Sequence, residues 1–175
     1  MTGFWRILGR IAGAVLALLF VAILVWFGGV GPWGPIAGGV LWGETVTTPP
    51  DGWSFVDRVA EVQVETHLGP LPWSVTTWCF SHQGRLYISS RNCLSKRWVK
   101  NVLRNPNVRV RIDGRIYQLR AVRDEDPTVG EALLRQMMLK YLGVDADDPR
   151  PVDAAPTPGE ARAYGCAFRM EPRSW

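Results

Sequence analysis

From Ile11 to Val30 the chain reads IAGAVLALLFVAILVWFGGV, and beyond it the pattern breaks into short alternations of polar and apolar positions. Twenty such residues make about 30 Å of helix, the thickness of a hydrocarbon core, so the run predicts a transmembrane helix. Downstream, Glu61-Val62-Gln63-Val64-Glu65-Thr66 alternates as a half-buried strand does, and Ser74-Val75-Thr76-Thr77-Trp78-Cys79-Phe80 is β-branched and aromatic. Ser81-His82-Gln83-Gly84 has turn composition and returns the chain through Arg85 to Ser89, which predicts a hairpin. A second hairpin is predicted over Val108 to Ile112 and Arg115 to Val122, because the intervening Asp113-Gly114 fits a type I′ turn. Near the C-terminus Tyr164, Cys166, Phe168 and Met170 alternate with Gly165, Ala167 and Arg169, predicting a last strand with one face inward. Two helices lie between: Ser95 to Asn105, with Ser95 as N-cap and Pro106 as stop, and Thr128 to Leu142, ended by Gly143.

The order β-β-β-α-β-β-α-β has no βαβ alternation and no internal repeat, so it predicts a mainly β fold, a small antiparallel barrel with helices across its openings. Residues 1–30 form the anchor, 31–54 a Gly/Pro-rich juxtamembrane linker along the bilayer surface, and 55–175 the barrel domain. Asp145 to Glu160, with four Pro and five acids, reads as a solvated loop.

Charge adds an orientation. No charged residue occurs between Arg10 and Glu44, whereas Arg6 and Arg10 precede the apolar run and Glu44, Asp51 and Asp57 follow it before the first base, Arg58. The positive-inside rule then gives a single-pass protein with a cytoplasmic N-terminus and an extracytoplasmic domain. Trp5 before the run and Trp26, Trp33 and Trp42 at or beyond its far end read as interface anchors. A cleaved signal peptide is the competing reading, but the run exceeds an h-region and GPWGPIAGG is a poor cleavage site. Three cysteines, Cys79, Cys93 and Cys166, have no metal-ligand spacing and allow one disulfide at most. A Cys79–Cys166 pair is conceivable if their strands adjoin, although buried free thiols are the commoner state.

Between Arg85 and Arg123 lie 11 basic residues and one acid, Asp113. In that window Ser89-Ser90-Arg91-Asn92 ends a strand and Ser95-Lys96-Arg97-Trp98 opens a helix. Hydroxyls, backbone N–H groups, a helix N-terminus and cations can converge there, which is the chemistry a phosphate needs. The Trp98 indole would support an aromatic ring on such a phosphate, with Asn101 on the same helix face. The bland alternative is that Trp98 packs the core and that Arg109, Arg111, Arg115 and Arg120 are the wet face of a hairpin. Nucleic acid is disfavoured by the outward location and by the lack of an aromatic stripe.

Gly84-Arg85-Leu86-Tyr87-Ile88-Ser89-Ser90 followed by Lys96-Arg97-Trp98-Val99-Lys100-Asn101-Val102-Leu103-Arg104-Asn105-Pro106 resembles the strand and W-x-x-N-L-x-x-N-P helix exit of deazaflavin-dependent, nitroreductase-like split-barrel proteins. More loosely, the strand order from Glu61 to Met170 resembles the flavin-binding split β-barrel of the pyridoxamine-phosphate-oxidase-like clan. The resemblance implies a side cleft for FMN or coenzyme F420, with phosphate near Ser89, Ser90, Arg91, Lys96 and Arg97, and with Trp98 and Asn101 shaping that corner. The ring would lie along Thr76-Thr77-Trp78. It also implies an oxidoreductase acting on a small organic substrate, and a homodimer. Where the family carries T-T-x-G-R-x-S-G, this chain reads Glu65-Thr66-His67-Leu68-Gly69-Pro70.

No catalytic triad or carboxylate pair is readable, and neither histidine, His67 nor His82, has a partner fixed by the sequence. Flavin chemistry resides in the cofactor, so no acid/base motif is required. Haem is a lesser alternative, needing an axial ligand from the two His, four Met or three Cys. The rival from another class is a non-catalytic subunit that scaffolds a membrane complex through its helix and basic face.

Overall fold

The computed structural model describes residues 2–29, 31–48, 50–69, 71–137, 139–140 and 165–173. Helix α1 (Thr2–Gly29) leads the chain, and its stretch Phe4–Val25, 22 residues with mean hydropathy 2.5 and unburied by the rest of the protein, is long and apolar enough to cross a membrane. The helix starts before the uncharged run and carries Arg6 and Arg10 in its first turns.

The strands are β1 (Glu44–Val46), β2 (Val62–His67), β3 (Pro72–His82), β4 (Arg85–Arg91), β5 (Asn107–Ile112), β6 (Arg115–Asp124) and β7 (Gly165–Pro172). Six of them close into an antiparallel ring, β6-β5-β2-β3-β4-β7, sealed by a β6–β7 ladder, while β1 adds to β6 in parallel outside the ring. This is the predicted mainly β barrel. Both hairpin turns place their central residues at positive φ, Gln83 (51°) with Gly84 (72°) and Asp113 (48°) with Gly114 (80°), as type I′ geometry requires.

Alternation sorts the side chains. Val62, Val64, Val108, Val110, Ile112, Leu119, Ile88 and Phe168 point into the barrel, and helix α2 (Arg97–Arg104) adds Trp98, Val99 and Val102 to the same core. On the other face, Phe80, Tyr87 and Ala167 pack beneath Val129 and Leu133 of helix α3 (Pro127–Met137). Asp126 caps α3, its Oδ1 accepting from the Thr128 N–H and hydroxyl, each at 2.9 Å.

Two expectations need correction. Ser95 does not cap α2; it ends a one-turn 3-10 helix (Cys93–Ser95), its hydroxyl donating to the Asn92 carbonyl at 2.7 Å, and Lys96 takes the N-cap position without a side-chain cap. The cause is Asn92, whose left-handed backbone (φ 52°) turns the chain before the helix can begin. The disulfide joins Cys93, not Cys79, to Cys166. The β4–β7 register sets Ser90 opposite Cys166, so the chain leaving β4 brings Cys93 to a Cα separation of 5.7 Å. Cys79 opposes Ile88 instead and turns toward the carbonyls of Val56 and Val59. The solvated loop Asp145 to Glu160 lies outside the described residues, as does the predicted helix beyond Lys140.

Candidate functional site at the split in the barrel

Strand β4 pairs with β3 only from Trp78 to His82 and then runs beside β7 as far as Arg91. The first half of β3 therefore has β2 on one side only. The linker partly mends this edge, for Gly38 and Ser74 exchange two backbone hydrogen bonds of 2.9 Å. Beyond that bridge a cleft of about 580 Å³ opens. Its walls are Gly34, Pro35 and Ala37 of the linker, Glu61, Trp73 and Val75 to Trp78 at the start of the barrel, Ser90 near the end of β4, and Lys96, Arg97 and Trp98 beyond it. The volume falls in the range of about 300–1,000 Å³ typical of small-molecule sites.

Six sequence-predicted residues thus share one cleft: Thr77, Trp78, Ser90, Lys96, Arg97 and Trp98. Lys96 and Arg97 are exposed, and Arg97 lays its guanidinium 4.0 Å over the Trp73 ring. Trp98 is 3% exposed and packs on Phe168 at 5.5 Å, so it serves the core and the cleft wall together. Because α2 has no side-chain cap, its first-turn N–H groups and the positive end of its dipole face the same corner as the two cations.

Ser89 and Asn101 do not line the cleft. Ser89 is buried, and its carbonyl accepts the Thr77 hydroxyl at 2.7 Å. Asn101 is buried below, its Nδ2 donating to Thr66 Oγ1 at 3.0 Å, and that hydroxyl donates to the Trp73 carbonyl at 3.1 Å. Asn101 therefore fixes α2 to the strands that carry the cleft. Arg91 ends β4, and its side chain lies outside the described residues. Sequence reasoning missed Trp73, Glu61 and the linker residues. For Trp73 the signal was present, since the alternation of the third strand extends back through Val75 to it.

The cleft suits a planar, phosphorylated ligand. Indoles from three positions supply apolar faces, the α2 corner supplies donors and positive charge, and the Thr76 hydroxyl is a buried polar group with no partner in the wall.

A second polar cluster holds the linker wall in place. Glu65, fully buried on β2, accepts the Leu41 N–H at 2.5 Å and pairs with Arg109 at 2.9 Å and His67 at 2.6 Å. Arg111 donates to Gln63 Oε1 and, at 3.0 Å, to the Trp42 carbonyl, while Gln63 Nε2 reaches the Pro32 carbonyl at 3.2 Å. Arg109 and Arg111, expected on the wet face of their hairpin, instead reach across β2 to the linker, because the linker covers that face. Glu65 and His67, in the stretch that departs from T-T-x-G-R-x-S-G, belong to this clamp.

No family model and no curated protein matches the sequence. Solved structures do match. The conserved hypothetical protein Rv2991 of Mycobacterium tuberculosis superposes with TM-score 0.51 at 15% identity, covering 74% of this chain and 87% of that one. A candidate 5-nitroimidazole antibiotic resistance protein of Bacteroides thetaiotaomicron gives TM-score 0.51 at 12% identity, covering 79% and 85%. A candidate pyridoxamine 5′-phosphate oxidase of Listeria innocua gives TM-score 0.48 at 16% identity, covering 68% and 88%. At these identities the likeness is one of fold alone, and the two structures that superpose at TM-score 0.51 share with this chain the split β-barrel.

Proposed function

We propose that the chain is a membrane-anchored, flavin- or deazaflavin-binding oxidoreductase-like protein that acts on a small organic substrate. The observation that carries this reading is the convergence of Lys96, Arg97 and the uncapped start of α2 with Trp73, Trp78 and Trp98 in one cleft at the split. Lys96, Arg97 and the α2 N–H groups hold the phosphate of FMN or F420. Trp73 and Trp98 exclude water from the adjoining ring. When bound, such a cofactor supplies hydride transfer, and the protein binds, orients and shields it. Among the described residues the cleft wall contains no His, Met or Cys, which favours a flavin-type ligand over haem.

Helix α1 spans the bilayer with its N-terminus in the cytoplasm and the barrel outside. Arg6 and Arg10 on the near side support that orientation, and the Cys93–Cys166 disulfide supports an oxidising compartment.

The test is the absorption and fluorescence spectrum of the detergent-purified full chain, with mass spectrometry of any small molecule released on denaturation. A flavin or deazaflavin band is expected, and the variant Lys96→Ala/Arg97→Ala should bind added FMN or F420 at least about tenfold more weakly, the loss of a charge-assisted phosphate contact. A colourless protein that takes up neither compound would return the basic corner to the scaffold reading.

A further inference from the structure

Outside α1, seven large apolar side chains are strongly exposed among the described residues, and five of them lie on the elements that flank the first half of β3: the linker turn, the β2–β3 turn and α2. Leu68 and Leu71, 44% and 54% exposed, flank the β2–β3 turn. Trp33 and Ile36, 82% and 49% exposed, sit on a linker turn closed by reciprocal backbone bonds of 3.1 and 3.0 Å, which the antiparallel Gly38–Ser74 bridge sets beside the middle of β3. Leu103, 51% exposed, lies on α2, which is tied to the same strand ends by Asn101 to Thr66 and by Asn105 Nδ2 to the His67 carbonyl at 3.1 Å. The exposed cations Lys96, Lys100 and Arg104 are spread along α2 on this side, and no acidic residue occurs from Arg85 to Ile112.

This surface is close to the bilayer by connectivity. Helix α1 ends at Gly29, so four peptide steps reach Trp33, at most about 14 Å of chain. The linker is not a slack tether, since Pro32, Gly38, Leu41 and Trp42 are each hydrogen-bonded to the barrel. Exposed Trp and Leu beside Lys and Arg form the composition of a headgroup-layer contact, with the bases matching anionic lipid.

We infer that this side of the barrel, along the free first half of β3, is a second membrane contact, at which Trp33, Ile36, Leu68, Leu71 and Leu103 enter the interfacial layer while Lys100 and Arg104 meet anionic headgroups. The inference rests on the reading that α1 spans a bilayer. It sets the mouth of the cleft, which shares Pro35, Ala37 and Lys96 with this surface, at headgroup level, so a substrate dissolved in the membrane reaches it without crossing water.

The test places a bimane fluorophore on the full chain in nanodiscs containing spin-labelled lipid. Leu71→Cys and Leu103→Cys report the docking side, and Arg85→Cys, opposite His82 on β4, reports the far end of β3; all three sites are exposed, and the native Cys79 is buried. Strong quenching at 71 and 103 with little at 85 is expected in discs rich in anionic lipid, together with its loss on adding Lys100→Glu/Arg104→Glu. Equal quenching at all three sites, or bimane at 103 shielded by a second copy without lipid quenching, would overturn the docking surface alone. Failure of the chain to enter discs would overturn the spanning reading and the docking with it.

Discussion

Arg109 and Glu65 face each other across the β2–β5 ladder, and together they read both backbone groups of a single linker residue. One terminal nitrogen of Arg109 lies 3.0 and 2.9 Å from the two Glu65 carboxylate oxygens, and the other donates to the Leu41 carbonyl at 3.0 Å. Glu65 in turn accepts the Leu41 N–H. Leu41 is itself fully buried, so the linker is part of the fold, and the cleft wall at residues 34–37 inherits its position from this clamp.

Removing one partner of a buried pair costs more than replacing both, because it leaves a desolvated charge behind. Arg109→Ala should therefore destabilise the folded chain by about 3–5 kcal/mol in chemical unfolding. Glu65→Leu/Arg109→Leu should lose clearly less than the sum of the single changes. Limited proteolysis gives an independent readout, with Arg109→Ala expected to expose residues 31–43 to cleavage before the barrel. A loss under about 1 kcal/mol would place the pair among ordinary surface contacts.

The Cys93–Cys166 disulfide closes a sequence separation of 73 residues, for which chain entropy alone gives about 4 kcal/mol. It also pins the corner between β4 and α2 to β7. Cys93→Ser/Cys166→Ser should thus lower thermal stability and, separately, weaken ligand uptake at the Lys96–Arg97 corner, which titration of the folded variant with FMN or F420 can read below its melting temperature. Unchanged uptake in a destabilised variant would show that the bond serves stability only.

How far the fold was legible depended on local chemistry. The Asp113-Gly114 turn, the alternation of Val108, Val110 and Ile112, and the Pro106 stop each carry their own steric reason, and the barrel follows from them. Lys96, Arg97 and Trp98 were legible as a corner because a strand end feeds a helix start there. What the sequence could not disclose was long-range pairing: that Arg109 would bind Leu41 across 68 positions, and that Cys93 rather than Cys79 would meet Cys166. Both depend on register in three dimensions, which alternation leaves open. The linker was read from its glycines and prolines as a tether, while its role as a cleft wall depends on Ser74 offering a free strand edge.

Cys79 gives the fold an alkaline limit. Its thiol is 2% exposed, and burial, against the opposing pull of nearby Lys140, pushes its pKa from 9.0 up to about 11. The folded state therefore holds this proton more tightly than the unfolded chain. The resulting stability is fully present below pH 9 and is lost as the pH rises from about 9 through about 11, to a total of about 2–3 kcal/mol. Tyr87, raised by burial and by the adjacent Asp124, adds a loss of the same sign beginning above pH 10. Urea unfolding at pH 8 and pH 11 should show a smaller alkaline loss for Cys79→Ala than for the parent, with Tyr87→Phe removing a separate portion. Identical pH slopes in Cys79→Ala and the parent would mean that the thiol ionises in the folded chain as freely as in the unfolded one, and alkylation of the native protein at pH 8 would then proceed at the rate of an exposed cysteine.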